Sequence, residues 1–72
     1  MNQAEDLDKL HKEQASVALS AMNQLRMTLR YEAKDLKSAG YKTVEEAVVS
    51  VVKYNLTKLD SLTREHIRKY PD

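Results

Sequence analysis

The sequence predicts an all-α fold, a two-helix antiparallel hairpin, from three observations. Apolar residues recur at steps of three and four, the period that keeps side chains on one face of a helix. Two such rows are separated by one short segment, 38–43, which contains the only glycine. The only proline is Pro71, near the end of the 72 residues, so no proline interrupts either row. We therefore expect a single helical domain over residues 1–72.

The first helix is expected over about residues 5–38. Glu5 and Asp6 place negative charge at its start, where the helix dipole is positive. Gly40 can supply a left-handed C-cap just beyond its end. We expect the apolar row of this helix to face the second helix, and it comprises Leu7, Ala15, Ala18, Met22, Leu25, Leu29, Ala33 and Leu36.

The second helix is expected over about residues 44–70, after a connector at 39–43. Thr43 and Glu46 match a capping box, the signature of a helix start. Two alternatives remain open: the valine-rich run 47–52 could form a strand, and Asp60-Ser61 could start a short third helix over 62–70. We favour one continuous helix because its apolar row stays in phase, through Val44, Val48, Val51, Val52, Leu59, Leu62 and Tyr70.

Composition narrows the class of protein. The chain has no cysteine and a formal net charge of +1, so disulfides are excluded and bulk charge does not favour a nucleic-acid partner. No apolar run approaches the ~20 residues that span a bilayer, and the first residues lack a signal-peptide layout. We expect a cytoplasmic protein without a membrane partner. A core from so short a chain is marginal, which favours oligomerisation.

The second helix predicts a contact surface, because its apolar arc is wider than the first helix can cover. We expect a homodimer, most simply an antiparallel four-helix bundle, or a contact with another protein; a short third helix folded over the arc is the alternative. Asn55, at the centre of the arc, could fix register or oligomer state. The predicted protein-binding or oligomer residues are Val49, Val52, Asn55, Leu56, Leu59 and Ile67, with Met27 and Tyr31 as a separate pair on the first helix.

A basic row on the first helix raises a different hypothesis. Arg26, Arg30 and Lys34 are four residues apart, with Lys37 beside them, a spacing that could follow the phosphates of a nucleic acid. No helix-turn-helix or RNA-binding signature accompanies this row. A solvated basic face is the simpler interpretation, so nucleic-acid binding is not favoured.

Catalytic and cofactor motifs are not found in the sequence. It contains no phosphate-binding loop and no nucleophile elbow, and Asp8 with His11 is too common a pair to predict a metal site. We therefore expect no enzyme, no cofactor and no metal. The expected function is that of a small regulatory adaptor, which binds and modulates a transcription regulator or an enzyme through its helix faces. The alternatives are a nucleic-acid-binding accessory protein and a structural subunit of a helical assembly.

Overall fold

The computed structural model describes residues 3–71, which form three helices and no strand. The helices are α1 (Gln3–Thr28), α2 (Ala33–Ala39) and α3 (Val44–Lys69). The all-α prediction is confirmed. The alternative of a strand at 47–52 is wrong, because those residues lie inside α3.

Helices α1 and α3 pack side by side in opposite directions. Gln14 Nε2 donates to Thr63 Oγ1 at 2.8 Å, and the Tyr70 hydroxyl donates to the Asp6 carboxylate at the open end. The residue numbers of the bonded pairs rise along α3 as they fall along α1, so the two helices are antiparallel. The result is an elongated hairpin with extents of 50 × 17 × 14 Å.

The first helix is not continuous over 5–38, so that prediction is wrong: α1 ends at Thr28. The Thr28 hydroxyl donates to the Gln24 carbonyl at 2.7 Å, a contact that slightly weakens a helix. Thr57 and Thr63 make the same contact inside the continuous α3, so it does not end a helix by itself. The amides of Arg30 and Tyr31 then bond carbonyls three residues back, at 3.1 Å each, which tightens the last turn. Glu32 has an extended backbone, with φ −91° and ψ 173°, and this ends the helical path.

Helix α2 is a short helix with its own start and stop. The Glu32 amide donates to Asp35 Oδ2 at 2.9 Å, which satisfies a free amide at its N-terminus. At the other end Gly40 has a φ of 88°, the left-handed conformation that favours glycine. The Tyr41 amide returns to the Leu36 carbonyl at 2.8 Å. Gly40 is therefore a C-cap as predicted, although it ends α2 and not a longer first helix.

Helix α3 begins where its capping residues predict. Thr43 Oγ1 accepts from the Glu46 amide at 3.2 Å. The Glu46 carboxylate accepts from the Lys42 amide at 2.9 Å, one residue before the position that a standard capping box uses. The helix continues through Asp60-Ser61 to Lys69. The prediction of a continuous helix is confirmed, and the alternative of a C-terminal third helix is wrong.

The α1 surface that faces α3 differs from the predicted apolar row. Leu7, Met22 and Leu29, which belong to that row, are 40%, 56% and 65% exposed. The prediction that the whole row faces the second helix is therefore wrong. The positions of α1 that are buried or half-buried recur at steps of four and three, and they include Leu10, Gln14, Val17, Ala21, Gln24 and Thr28.

Asn55 lies inside the contact between α1 and α3, which we call the seam, opposite Gln24 near the end of α1. Asn55 is only 5% exposed. Nδ2 donates to Gln24 Oε1 and to the Val51 carbonyl, each at 2.8 Å. The asparagine that the sequence predicts to fix register therefore bonds a residue of the same chain.

Replacing Asn55 by leucine should lower the free energy of unfolding by about 1 kcal/mol, because Gln24 loses its partner inside the seam. Replacing Gln24 by leucine as well should recover that loss, since both polar groups are then removed. Urea unfolding of the two variants and the wild type measures both values. A single Asn55→Leu variant as stable as the double variant would show that this hydrogen bond does not hold the seam.

Candidate functional site

The hairpin has two broad faces, one on each side of the seam. Two open grooves show which flanks of the helices share a face: Lys9 and Glu13 of α1 line the first with Glu65 of α3, and Val17 lines the second with Tyr54. We call this side the groove face. Its lining residues are mostly charged or polar.

The remaining flanks of both helices point to the opposite side, since each residue advances about 100° around its helix. On that side α1 contributes Leu7, Ala18 and Met22 around His11. Helix α3 contributes Val49, Val52, Leu56 and Ile67. These four side chains are between 39% and 56% exposed. We call this side the apolar face, and its residues are Leu7, His11, Ala18, Met22, Val49, Val52, Leu56 and Ile67.

The apolar face exists because the seam buries little. Among the described apolar side chains, Leu36 and Ala47 are the buried ones, at 9% and 1% exposure. The accessible surface is 5875 Å², whereas a compact monomer of 8.3 kDa is expected to expose roughly 4,600 Å². The hairpin therefore exposes an excess on the order of 1,300 Å² per chain.

Most of the predicted contact residues of α3 come together in the structure. Val49, Val52, Leu56 and Ile67 share the apolar face. Leu59 is half-buried on the seam side of α3. Asn55 is hydrogen-bonded inside the seam, so it is not available at the surface.

Met27 and Tyr31 are not one turn apart on a common helix. Met27 is the second-last residue of α1 and is 66% exposed. Tyr31 is half-buried in the connector that follows. The helix ends between them, so they do not form the paired patch that a continuous helix would produce.

The basic row is interrupted in the same way. Arg26 lies in α1, Arg30 in the connector, and Lys34 and Lys37 in α2. All four are exposed. Because the four-residue spacing places side chains in line only on one helix, the row of three cations is not formed.

The exposure of Leu7 and Met22 was not predicted from the apolar pattern of the sequence. A signal was present, because α1 carries two rows with nearly the same spacing, one of them containing Gln14 and Gln24. Counting apolar residues selects the other row. The hydrogen-bonding needs of the glutamines were the information that could have found the seam.

At the open end of the hairpin, a polar cluster joins the start of α1 to the end of α3. The Tyr70 hydroxyl bonds the Asp6 carboxylate, and Lys69 Nζ lies 3.4 Å from the same oxygen. The hydrogen bond from Tyr70, helped by Lys69 and opposed by burial, lowers the pKa of Asp6 below 3.8. The same bond, with burial, raises the pKa of Tyr70 above 10.0. The rings of His66 and Tyr70 lie 5.1 Å apart.

Residues 3–71 offer few other kinds of site. No group of three or more His, Cys, Asp or Glu side chains in that range could hold a metal ion. The helices described there are also too short or too polar to cross a bilayer. The two grooves, of about 470 and 350 Å³, have the volume of ligand sites. Both are open along the surface, a shape that suits an extended partner segment better than an enclosed small molecule.

Comparison of the chain with protein-family models, with curated proteins and with solved structures gives no match. The two faces of the hairpin are consequently the features from which a function can be inferred.

Replacing Tyr70 by phenylalanine should lower the thermal midpoint near pH 7, because Asp6 loses its hydroxyl donor. The folded pKa of Asp6 is depressed, so this stabilisation is present above about pH 4 and is lost as the pH falls through the folded pKa. The pKa of Tyr70 is raised, so the stabilisation also disappears as the pH rises past that value. The midpoints of variant and wild type should converge as the pH falls through the depressed folded pKa of Asp6, as measured by circular dichroism.

Tyr54→Phe is the matched control, because the Tyr54 hydroxyl makes no hydrogen bond within the described chain. Its midpoint should follow the wild type at every pH. A Tyr70→Phe curve that also stays parallel to the wild type would contradict the assignment.

Proposed function

We propose that the protein is a non-enzymatic regulatory adaptor that acts as a homodimer and modulates another protein, such as a transcription regulator or an enzyme. The observation that carries the proposal is the apolar face, where α1 and α3 together expose the side chains that the seam leaves uncovered. Two hairpins packed through these faces form a four-helix bundle, an arrangement that covers such rows. We keep the cytoplasm as the proposed location.

The size of the face supports a dimer. The hairpin is 50 Å long and 17 Å wide, so one broad side offers roughly 850 Å², close to the ~800 Å² per partner of a standard interface. The excess accessible surface of the chain is also of this order. A weak or accidental contact would require neither a face of this area nor an excess of accessible surface.

The chemistry of the face supports a second copy as its partner. A two-fold contact brings each patch against itself, so a charge at the centre would meet its own copy. The centre of this face carries apolar side chains and His11. The nearest charged residues are Glu45, at one end of the apolar face, and Asp60, at its outer edge. A symmetric contact therefore buries no like-charge pair.

The dimer leaves the two groove faces on opposite outer sides of the bundle. Each copy thus presents one polar, grooved surface to a target. This arrangement separates the two tasks of the adaptor, since assembly uses the apolar face and recognition uses the groove face.

Leu56→Asp should convert the dimer to a monomer, because it places a carboxylate in the middle of the interface without its partner charge. Light scattering should give twice the 8.3 kDa of one chain for the wild type and a single chain for the variant. Tyr54→Asp is the matched control: Tyr54 is 56% exposed, against 54% for Leu56, but lies on the groove face. A monomeric wild type at about 100 μM, or a dimeric Leu56→Asp variant, would overturn the dimer.

The regulatory role is tested by affinity capture from a cell lysate with the tagged wild-type protein. An adaptor should retain one protein in stoichiometric amount after nuclease treatment, and part of it at high salt, because the apolar side chains of the groove face, Val17 and Leu62, make contacts that salt does not screen. Retention that disappears with nuclease, or with the Arg30→Glu variant, would indicate nucleic-acid binding through the exposed cations. A stable dimer that retains nothing would indicate a structural subunit.

A further inference from the structure

The two grooves of the groove face adjoin between α1 and α3, and we call them together the channel. Leu62 lines both of them, so they meet at that residue. Along α3 the channel extends from Tyr54 to Lys69, which is about 24 Å at ~1.5 Å per residue. This length matches a partner helix of about four turns.

The half of the channel nearest the middle of the hairpin carries its main apolar surface. Val17, Leu62 and the ring of Tyr54 provide that surface, and Thr57, Lys58 and Ser61 complete the lining. Tyr54 is 56% exposed. Lys58 Nζ lies 4.9 Å from the centre of that ring, so the stem of Lys58 covers part of the apolar surface while its charge stays at the rim. This half can accept aliphatic side chains of a partner.

The next turn of the channel carries two carboxylates. The hydrogen bond between Gln14 and Thr63 sets the register of the helices, and it places Glu13 and Glu65 at nearly the same height on opposite walls. Neither carboxylate forms an ion pair within the described chain. A cation of a partner placed between these two exposed carboxylates would be attracted by both.

One further turn toward the open end carries cations. Lys9 and Arg68 lie at nearly the same height, again on opposite walls. Lys69 lies close by but already pairs with Asp6 at 3.4 Å. From the middle of the hairpin toward its open end, the channel is therefore lined by an apolar, an anionic and a cationic segment, each one helical turn or about 6 Å long.

We propose that this channel binds an amphipathic helix of the target protein, one that presents an aliphatic side chain, a cation and an anion at successive turns of one face. This inference rests on the proposed function and names the surface through which the adaptor meets its target. The aliphatic anchor supplies most of the affinity. The charges select the register and the correct partner, because exposed ion pairs contribute more to specificity than to affinity. The anionic turn disfavours a nucleic acid, whose phosphates Glu13 and Glu65 would repel.

The test uses the 72-residue protein and two labelled helical peptides of identical composition. The matched peptide carries Leu, Lys and Glu at successive turns of one face, and in the swapped peptide Lys and Glu are exchanged. Fluorescence anisotropy at low salt should show roughly tenfold tighter binding of the matched peptide. Salt should reduce this preference while leaving part of the affinity.

Charge-reversed variants give the decisive comparison. Glu13→Lys with Glu65→Lys should abolish the preference between the peptides. Adding Lys9→Glu and Arg68→Glu should reverse it. Tyr54→Ala should weaken both peptides equally, whereas Leu19→Ala, on the outer side of α1 and 64% exposed, should change neither.

Two results would overturn the inference: equal binding of both peptides by the wild type, or no binding of either at about 1 mM. The mass of each variant, measured by light scattering, separates this failure from failure of the proposed dimer. A dimer without peptide preference contradicts the channel alone. Peptide preference in a monomeric protein contradicts the dimer alone.

Discussion

Two hydrogen bonds across the seam determine how α1 lies against α3. Asn55 donates to Gln24, and Gln14 donates to Thr63. A polar group buried without a partner costs free energy that a hairpin with so small a core cannot offset. Rotating or sliding either helix would separate both pairs. The position of every other side chain relative to the seam follows from this one register.

The register has a consequence for apolar burial. Turning α1 by roughly a quarter of a turn would place Leu7 and Met22 against α3 and release the glutamines to water. Such a hairpin would cover Leu7 and Met22 but would uncover Leu10 and Val17, which are half-buried in the seam. The observed rotation instead directs Leu7 and Met22 to the same side as Leu56 and Ile67. In the proposed four-helix bundle a second hairpin covers that side, so that both rows of α1 are buried.

The same register also shapes the groove face. Because residues near 14 and 63 lie opposite each other, the charged side chains one turn away from them meet in bands of like sign across the channel. A shift by one turn would bring Glu13 opposite Lys69 and Arg68, and the bands would become ordinary cross-helix ion pairs. The seam thus controls both the apolar face, through rotation, and the pattern of the channel, through register.

Local signals in the sequence were sufficient for several features. The helical period, the start of α3 at Thr43 and the left-handed Gly40 depend on residues within one or two turns of each other, so they could be predicted without knowledge of the fold. The shared face of Val49, Leu56 and Ile67 followed from spacing on one helix. The break after Thr28 was missed because it contains neither glycine nor proline. The rotation of α1, the burial of Asn55 and the assembly of two faces were decided by tertiary structure alone. They depend on hydrogen bonds between residues that are 31 to 64 positions apart in the sequence. In this hairpin, pairing those polar groups decides which side of α1 faces α3, and the number of apolar residues on each side does not.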